Sequence, residues 1–355
     1  MIELVTDPAL ITPEWLTQAL EMAGVLSGGR VVSAEWEIIG TGKMGDNARF
    51  RLCYDGDVSA PQTLIAKLPA TDETARAIAG GMGAYRKEVM FYRELAEMTA
   101  IRTPDIYLNL IDEAGSNFIL LMEDLAPAEP GNQLIGETVK HARQALAEVA
   151  KLHAAFFEKK DVLARDYITH TDTQGAAFGQ ELLQQNWPGF VERFGHGLSE
   201  ESIALGGDYV ANHAAWVAHY DGPKTLIHSD FRTENMLFSD VSPPATVDWQ
   251  TITESCCMAD VAYFIGGSMD IEDRRNHEQT LVEHYRTSLA EAGVTLSANE
   301  CWQQYREFSL QGILITVLGA MFSQAEERSD QMFLVMIKRH LQHAVDMNAG
   351  EFFKL

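Results

Sequence analysis

A chain of 355 residues, 46% of them hydrophobic, has enough apolar material to bury a full core, and its length suits one large two-lobed unit or two domains. Its 51 acidic and 27 basic residues give a formal charge of −24, a field that repels phosphates and excludes a general nucleic-acid or anionic-membrane partner. Four cysteines without C-x-x-C spacing (Cys53, Cys256, Cys257, Cys301) and the lack of a basic-then-apolar leader predict a reduced, cytoplasmic protein.

Thr12-Pro13-Glu14 predicts the start of a helix, with Thr12 as cap and Pro13 at the first helical position. From Val31 to Lys67 short β-branched and alternating runs, punctuated by Gly, Asp and Pro, predict an antiparallel meander. Inside it lies Gly40-Thr-Gly42-Lys-Met-Gly45, a G-x-G-x-x-G spacing that three nucleotide-binding designs share. A Rossmann turn needs a helix after its glycines, and here "NARFRLCY" alternates as a strand. A Walker A loop needs Gly-Lys-Ser/Thr at its end, and Asp46 follows Gly45. A kinase glycine-rich loop, the tip of a hairpin folded over ATP phosphates, fits the context, although glycines in a hairpin can equally be plain turn residues.

Beyond the meander the pattern predicts a helix over Ala75 to Met98 and strands over Ile106 to Leu110 and Phe118 to Met122. After Glu123 the character is mostly helical: Ala142, Leu146, Val149, Leu152 and Phe156 recur at helical spacing, and three amphipathic segments follow Ile271. Ile313 to Phe322 is the longest apolar run, far too short to span a bilayer, and reads as a buried helix segment.

"TLIHSDFRTENMLFSD" sets Asp230 and Asn235 five residues apart between two apolar runs. Kinase catalytic loops carry an aspartate base and a metal-binding asparagine at that separation. Next comes "MLFSDVSPPATVDWQ", two short strands around a Ser-Pro-Pro turn, a hairpin that would return Asp248 toward Asn235. An amide oxygen and a carboxylate suit a hard cation such as Mg2+. As plain structure, Asp230 and Asn235 would be turn formers, Asp248 a strand-end cap and His228 a buried brace, and the bracing role is preferred for His228. Lys67 in "LIAKLP" is the candidate for neutralising phosphate charge, with Glu88 as its partner, although Glu94 lies on the same predicted helix.

These stretches resemble the aminoglycoside phosphotransferase and choline kinase superfamily of protein-kinase-like small-molecule kinases. The resemblance runs from about residue 35 to 270 through the glycines, Lys67, "FILLMEDL", "LAEVAKLHAAFF", "HSDFRTEN" and "VDWQTITESCCMADVAYFIGGS". The last of these is most similar to the ecdysteroid-kinase-like branch. It implies an α+β, protein-kinase-like bilobal fold, with a small N-lobe over residues 1–122 built on an antiparallel sheet and a large, mainly helical C-lobe over 123–355. It further implies that the hinge, Met122, Glu123 and Leu125, offers backbone groups to adenine, and that Asp260 braces the catalytic loop; from sequence alone Asp260 is equally an exposed helix cap. Ser229 stands where many members carry glycine, Trp249-Gln250 replaces the protein-kinase Phe-Gly, and no A-P-E segment is present, which argues against a protein substrate.

The expected activity is ATP- and Mg2+-dependent transfer to a small hydroxylated molecule. Asp230 is the base, Asn235 and Asp248 hold the metal, and Gly40, Gly42, Gly45, Lys67 and Glu88 serve the nucleotide. The alternatives are a silent nucleotide-binding pseudokinase and, on the glycines alone, an NAD-dependent dehydrogenase. Residues 161–223 carry Trp187, Phe190, Tyr209 and Trp216, either core or the roof of an acceptor pocket. Asp270, Glu272, Asp273, Glu326 and Glu327 would attract a cationic acceptor or merely form a solvated face. An uncharged alcohol is the preferred acceptor.

Overall fold

The structure, a computed structural model, describes residues 2–40, 44–56, 58–323 and 326–353. The chain forms two compact units. One comprises Met1–Met98, Arg102–Pro127 and Thr246–Thr251, and the other Thr99–Ile101, Ala128–Ala245 and Ile252–Leu355.

The first unit is built on a five-stranded antiparallel sheet in the order β1-β2-β3-β5-β4, with β1 Arg30–Ile39, β2 Gly45–Asp55, β3 Thr63–Pro69, β4 Ile106–Ile111 and β5 Phe118–Glu123. Helix α1, Pro13–Met22, starts as its sequence demands, the Thr12 side chain accepting from Trp15 N at 3.2 Å. Its Trp15, Leu16, Ala19 and Leu20 pack with Leu64, Ala66, Leu68, Ile119 and Leu121 from one face of the sheet. Strand alternation therefore turns Lys67 to the opposite face, where Phe118 meets Tyr85 at a ring distance of 4.6 Å.

Between β3 and β4 the single expected helix is broken. The chain forms α2, Glu73–Gly81, then α3, Ala84–Met90, which runs on through a π-helical turn, Phe91–Leu95, and a 3-10 turn, Ala96–Met98. The break falls at Gly83, whose φ of 68° is left-handed and cannot continue a helix. Ile39 pairs with Asn47 across the β1–β2 hairpin; Gly40 follows β1 and Gly45 opens β2, two antiparallel strands, so the strand-then-helix context of a dinucleotide fold does not hold among the described residues here.

The second unit is mainly helical. In chain order it contains β6 Glu129–Pro130, α4 Val139–Phe156, α5 Lys160–Leu163, α6 Thr173–Phe194, α7 Glu200–His219, β7 Thr225–Ile227 and β8 Met236–Phe238. After β9, Ala245–Thr246, come β10 Thr253–Ser255, α8 Met258–Ser268, α9 Ile271–Glu291, α10 Ala298–Phe308, α11 Gln311–Phe322 and α12 Glu327–Asp346. All five apolar residues that predict α4 are fully buried. β8 lies beside β9, closing the expected hairpin around Ser242-Pro243-Pro244. β7 pairs antiparallel with β10 and leads straight into the His228–Asn235 loop. Among the described residues no helix is long and apolar enough to cross a membrane.

The insertion aromatics pack on one another. Trp187 stacks on Phe190 at 5.7 Å, Tyr209 meets Trp216 at 5.6 Å, and Trp216 meets Phe308 of α10 at 5.6 Å. Phe190, Tyr209 and Trp216 are buried, as core residues are.

Candidate active site

In the sheet unit Lys67 is the centre of a buried charge cluster. Its Nζ donates to Glu88 Oε1 at 2.7 Å and to Asp248 Oδ1 at 2.9 Å, and the second Glu88 oxygen accepts from Gln250 Nε2 at 3.1 Å. Glu88 is 1% exposed, whereas Glu94 is exposed on the π-helical turn, which decides between them as the partner of Lys67. Burial by itself would push the Lys67 ammonium down, but the carboxylates of Asp248 and Glu88 outweigh it and hold its pKa above the ordinary lysine value.

Asp248 stands at φ 68°, a left-handed conformation that costs a non-glycine residue on the order of 1–3 kcal/mol and survives only where its surroundings impose it. They are visible on both sides. Before Asp248, Trp249 Nε1 bonds Thr246 O at 3.3 Å; after it, the Trp249 ring lies flat on Phe91 at 3.7 Å and 7°. The Trp-Gln pair that departs from Phe-Gly thus has two defined tasks: the indole anchors the turn and the amide holds Glu88.

The glycine loop is described at its two ends. Gly40 has φ 75°, open only to glycine at little cost, while Gly45 is not a loop residue but the first of β2. A Cβ on Gly45 would lie 3.0 Å from Leu68 O and 3.8 Å from Lys67 Cε, so bulk there would press on the lysine. Gly42 lies outside the described residues. Of the residues expected to form the hinge, Met122 and Glu123 belong to β5, and the Glu123 N–H is donated to Asp105 O at 2.8 Å; Leu125 lies beyond the ladder.

In the helical unit the loop after β7 is clamped from below. Asp260, 1% exposed in the first turn of α8, accepts from His228 N at 2.7 Å and Ser229 N at 2.9 Å, and faces His153 Nε2 at 3.3 Å. It is a buried brace and not an exposed cap. Ser229 has φ 71°, which explains why glycine is common there: the position is left-handed, and serine bears the strain.

The loop presents Asp230. Its Oδ1 accepts from Tyr263 Oη at 3.0 Å, and its Oδ2 accepts from Asn235 Nδ2 at 2.9 Å and Arg232 Nε at 3.3 Å. Asn235 Nδ2 also bonds Asp230 O at 2.9 Å, which leaves its carbonyl oxygen as the atom to offer a cation. Arg232 is paired with Glu234 as well, and although burial opposes its charge, Asp230 and Glu234 raise its pKa.

The family model of the ecdysteroid kinase-like family matches residues 48–297. The chain belongs to the ecdysteroid kinase-like family. The match takes in Lys67, Glu88, Asp230, Asn235 and Asp248 and begins after the glycines. Among solved structures it is similar to choline kinase from Cryptosporidium parvum Iowa II, with a TM-score of 0.56 and 10% identity over 90% of this chain and 91% of that one. It is also similar to the ternary complex of APH(2'')-IIa with streptomycin and ATP, with a TM-score of 0.53 and 13% identity over 100% of both chains. An ethanolamine kinase from Plasmodium vivax gives a TM-score of 0.51 and 13% identity over 90% of this chain and 82% of that one. At such identities the likeness is one of fold. No curated protein matches in sequence.

Tyr263, Arg232 and Gln250 escape the sequence reading. Tyr263 had a usable signal, since three residues after Asp260 on a helix it shares that residue's face. Arg232 and Gln250 carried none, because polar residues beside an aspartate are ordinary surface in most chains.

Proposed function

We propose that this member of the ecdysteroid kinase-like family transfers the γ-phosphoryl group of ATP to a hydroxyl of a small, uncharged molecule. The observation that carries the reading is the Asp230 carboxylate, held by three donors on a loop whose backbone Asp260 clamps. Phosphoryl transfer asks a protein mainly for positioning and charge stabilisation, and a fixed carboxylate meets the first demand. In the proposed reaction the acceptor oxygen bonds the γ-phosphorus as the bond to the bridging oxygen breaks. ADP leaves and Asp230 takes the acceptor's proton.

Lys67, kept charged by Glu88, is assigned to the phosphates, together with Gly40, Gly42 and Gly45. The hinge, Met122, Glu123 and Leu125, is assigned to adenine, with Leu125 the residue whose backbone lies outside the sheet. ATP is the nucleotide in the solved APH(2'')-IIa complex, which agrees with this assignment. The magnesium roles of Asn235 and Asp248 belong to the same proposal, and each side chain carries the hard oxygen that ion prefers. When bound, Mg2+ would neutralise phosphate charge. The four free thiols accord with a reducing compartment.

An uncharged acceptor is favoured by the engagement of Asp270, Glu272 and Glu234 with neighbouring groups of the chain. Glu234 is tied to Arg232, Asp270 caps α9 by accepting from Glu272 N, and Glu272 bridges Arg275 on the surface. The family's name points to a steroid alcohol. ATP consumption and product mass, measured over steroid alcohols, amino sugars and choline-like cations, test the reading. An uncharged alcohol should gain one phosphate with a KM indifferent to salt. A KM that climbs steeply with ionic strength identifies a cationic acceptor instead, and no transfer to any alcohol refutes the kinase.

A further inference from the structure

A carboxylate offers about four lone-pair positions. At Asp230 two donors, Asn235 and Arg232, fill Oδ2, and one, Tyr263, fills half of Oδ1. The remaining position is on Oδ1, beside the phenol.

Tyr263 is itself fixed. It is 1% exposed in α8, and its ring lies on His340 of α12 with centroids 5.0 Å apart and planes 8° from parallel. His340 is fixed in turn by two glycines. A Cβ on Gly267 would fall 2.5 Å from its Nε2, and one on Gly312 would fall 2.1 Å from its Nδ1, so no other residue leaves room for the ring. Burial, and then the neighbouring Arg339, push His340 down to about 3, which makes it a neutral plate behind the tyrosine.

We propose that Tyr263, backed by His340, is a positioning residue that selects Oδ1 of Asp230 as the atom receiving the acceptor's proton. The inference rests on the reading of Asp230 as the base. Without the phenolic hydroxyl, Oδ2 stays tethered while Oδ1 swings, and the open lone pair loses its aim. A tyrosine that merely satisfies its own buried hydroxyl would give the same contact without this consequence.

Turnover of ATP–Mg2+ is the readout, with water as acceptor until an alcohol is known. Tyr263→Phe should lower kcat about 10-fold, the scale of a lost hydrogen bond to a charged group, while KM for ATP changes less than about twofold. In an Asp230→Asn background the same change should cost nothing further. His340→Ala should lower kcat in the same direction and add nothing to Tyr263→Phe. Unchanged kcat in Tyr263→Phe, or an equal loss with and without Asp230, overturns the proposal. If Asp230→Asn turns over like the parent, the base assignment itself has failed. Urea unfolding of Tyr263→Phe, Asp230→Asn and their double needs no turnover: coupling supports the contact, and additivity overturns it.

Discussion

Lys67 and His340 are both buried nitrogen bases, one in each unit, and the fold treats them in opposite ways. Lys67 receives two carboxylates, Glu88 and Asp248, and is held charged against burial. His340 and its neighbour His343 receive none within hydrogen-bonding distance among the described residues. His343 has no hydrogen-bond partner on either ring nitrogen among the described residues, the nearest carboxylate oxygen, on Glu278, being 4.0 Å away, and burial drives its pKa well down. A Cβ on Gly266 would fall 2.3 Å from the His343 ring, so this imidazole too is used for its shape. Where counter-charges converge on a buried base the protein keeps a charge to use. Where glycines converge, it keeps a flat neutral filler.

The sharpest way to break this contrast is to remove the lysine. Lys67→Met leaves Glu88 buried without its cation, so urea unfolding should show a loss of about 3–5 kcal/mol. Adding Glu88→Leu should recover much of it. No recovery would mean that the cluster is held by packing and not by charge.

Acid should weaken the other side of the contrast. His213, at about 4, and His340, at about 3, lie below the ordinary histidine value of 6.5, burial being the largest cause for both. Below pH 6.5 the unfolded chain takes up protons that the folded chain refuses, so their stabilisation is complete above that pH and is lost progressively as pH falls toward 4 and then 3. Each should cost roughly 1–2 kcal/mol between pH 6.5 and 5. Denaturation midpoints measured across that range should fall, and His213→Gln should flatten the slope; a flat profile in the parent contradicts neutral burial.

A smaller effect comes from Ser229, whose left-handed φ lies next to Asp230. Ser229→Gly relieves the strain but gives the unfolded chain more freedom, so a gain of about 0.5 kcal/mol is expected in thermal unfolding. A loss would show that the serine side chain earns its place by a contact.

Each unit was legible from sequence in part. Local signals were enough for α1, because Thr12 and Pro13 act within one turn, and for the glycine hairpin, because β2 alternates immediately after it. Spacing alone placed Asp230 and Asn235 on one loop, and their mutual hydrogen bond follows from that loop's tightness. Other features depend on partners distant in the chain. Glu88 and Gln250 meet across 162 positions, and the notch at Gly312 is filled by His340 from another helix. The broken helix at Gly83 was readable in principle, since three glycines fall within Gly80–Gly83, but the apolar periodicity on either side hid it.

Whether the Lys67 cluster serves a nucleotide and Asp230 the chemistry is decided by calorimetric titration of ATP with and without Mg2+ into the parent, Asp230→Ala and Asp248→Ala, with turnover measured alongside. Asp230→Ala should bind ATP almost as the parent does while turnover falls about 100-fold or more. Asp248→Ala should lose the Mg2+-dependent part of the affinity. Equal loss of affinity in the two variants, or no ATP binding by the folded parent, would contradict that division of roles.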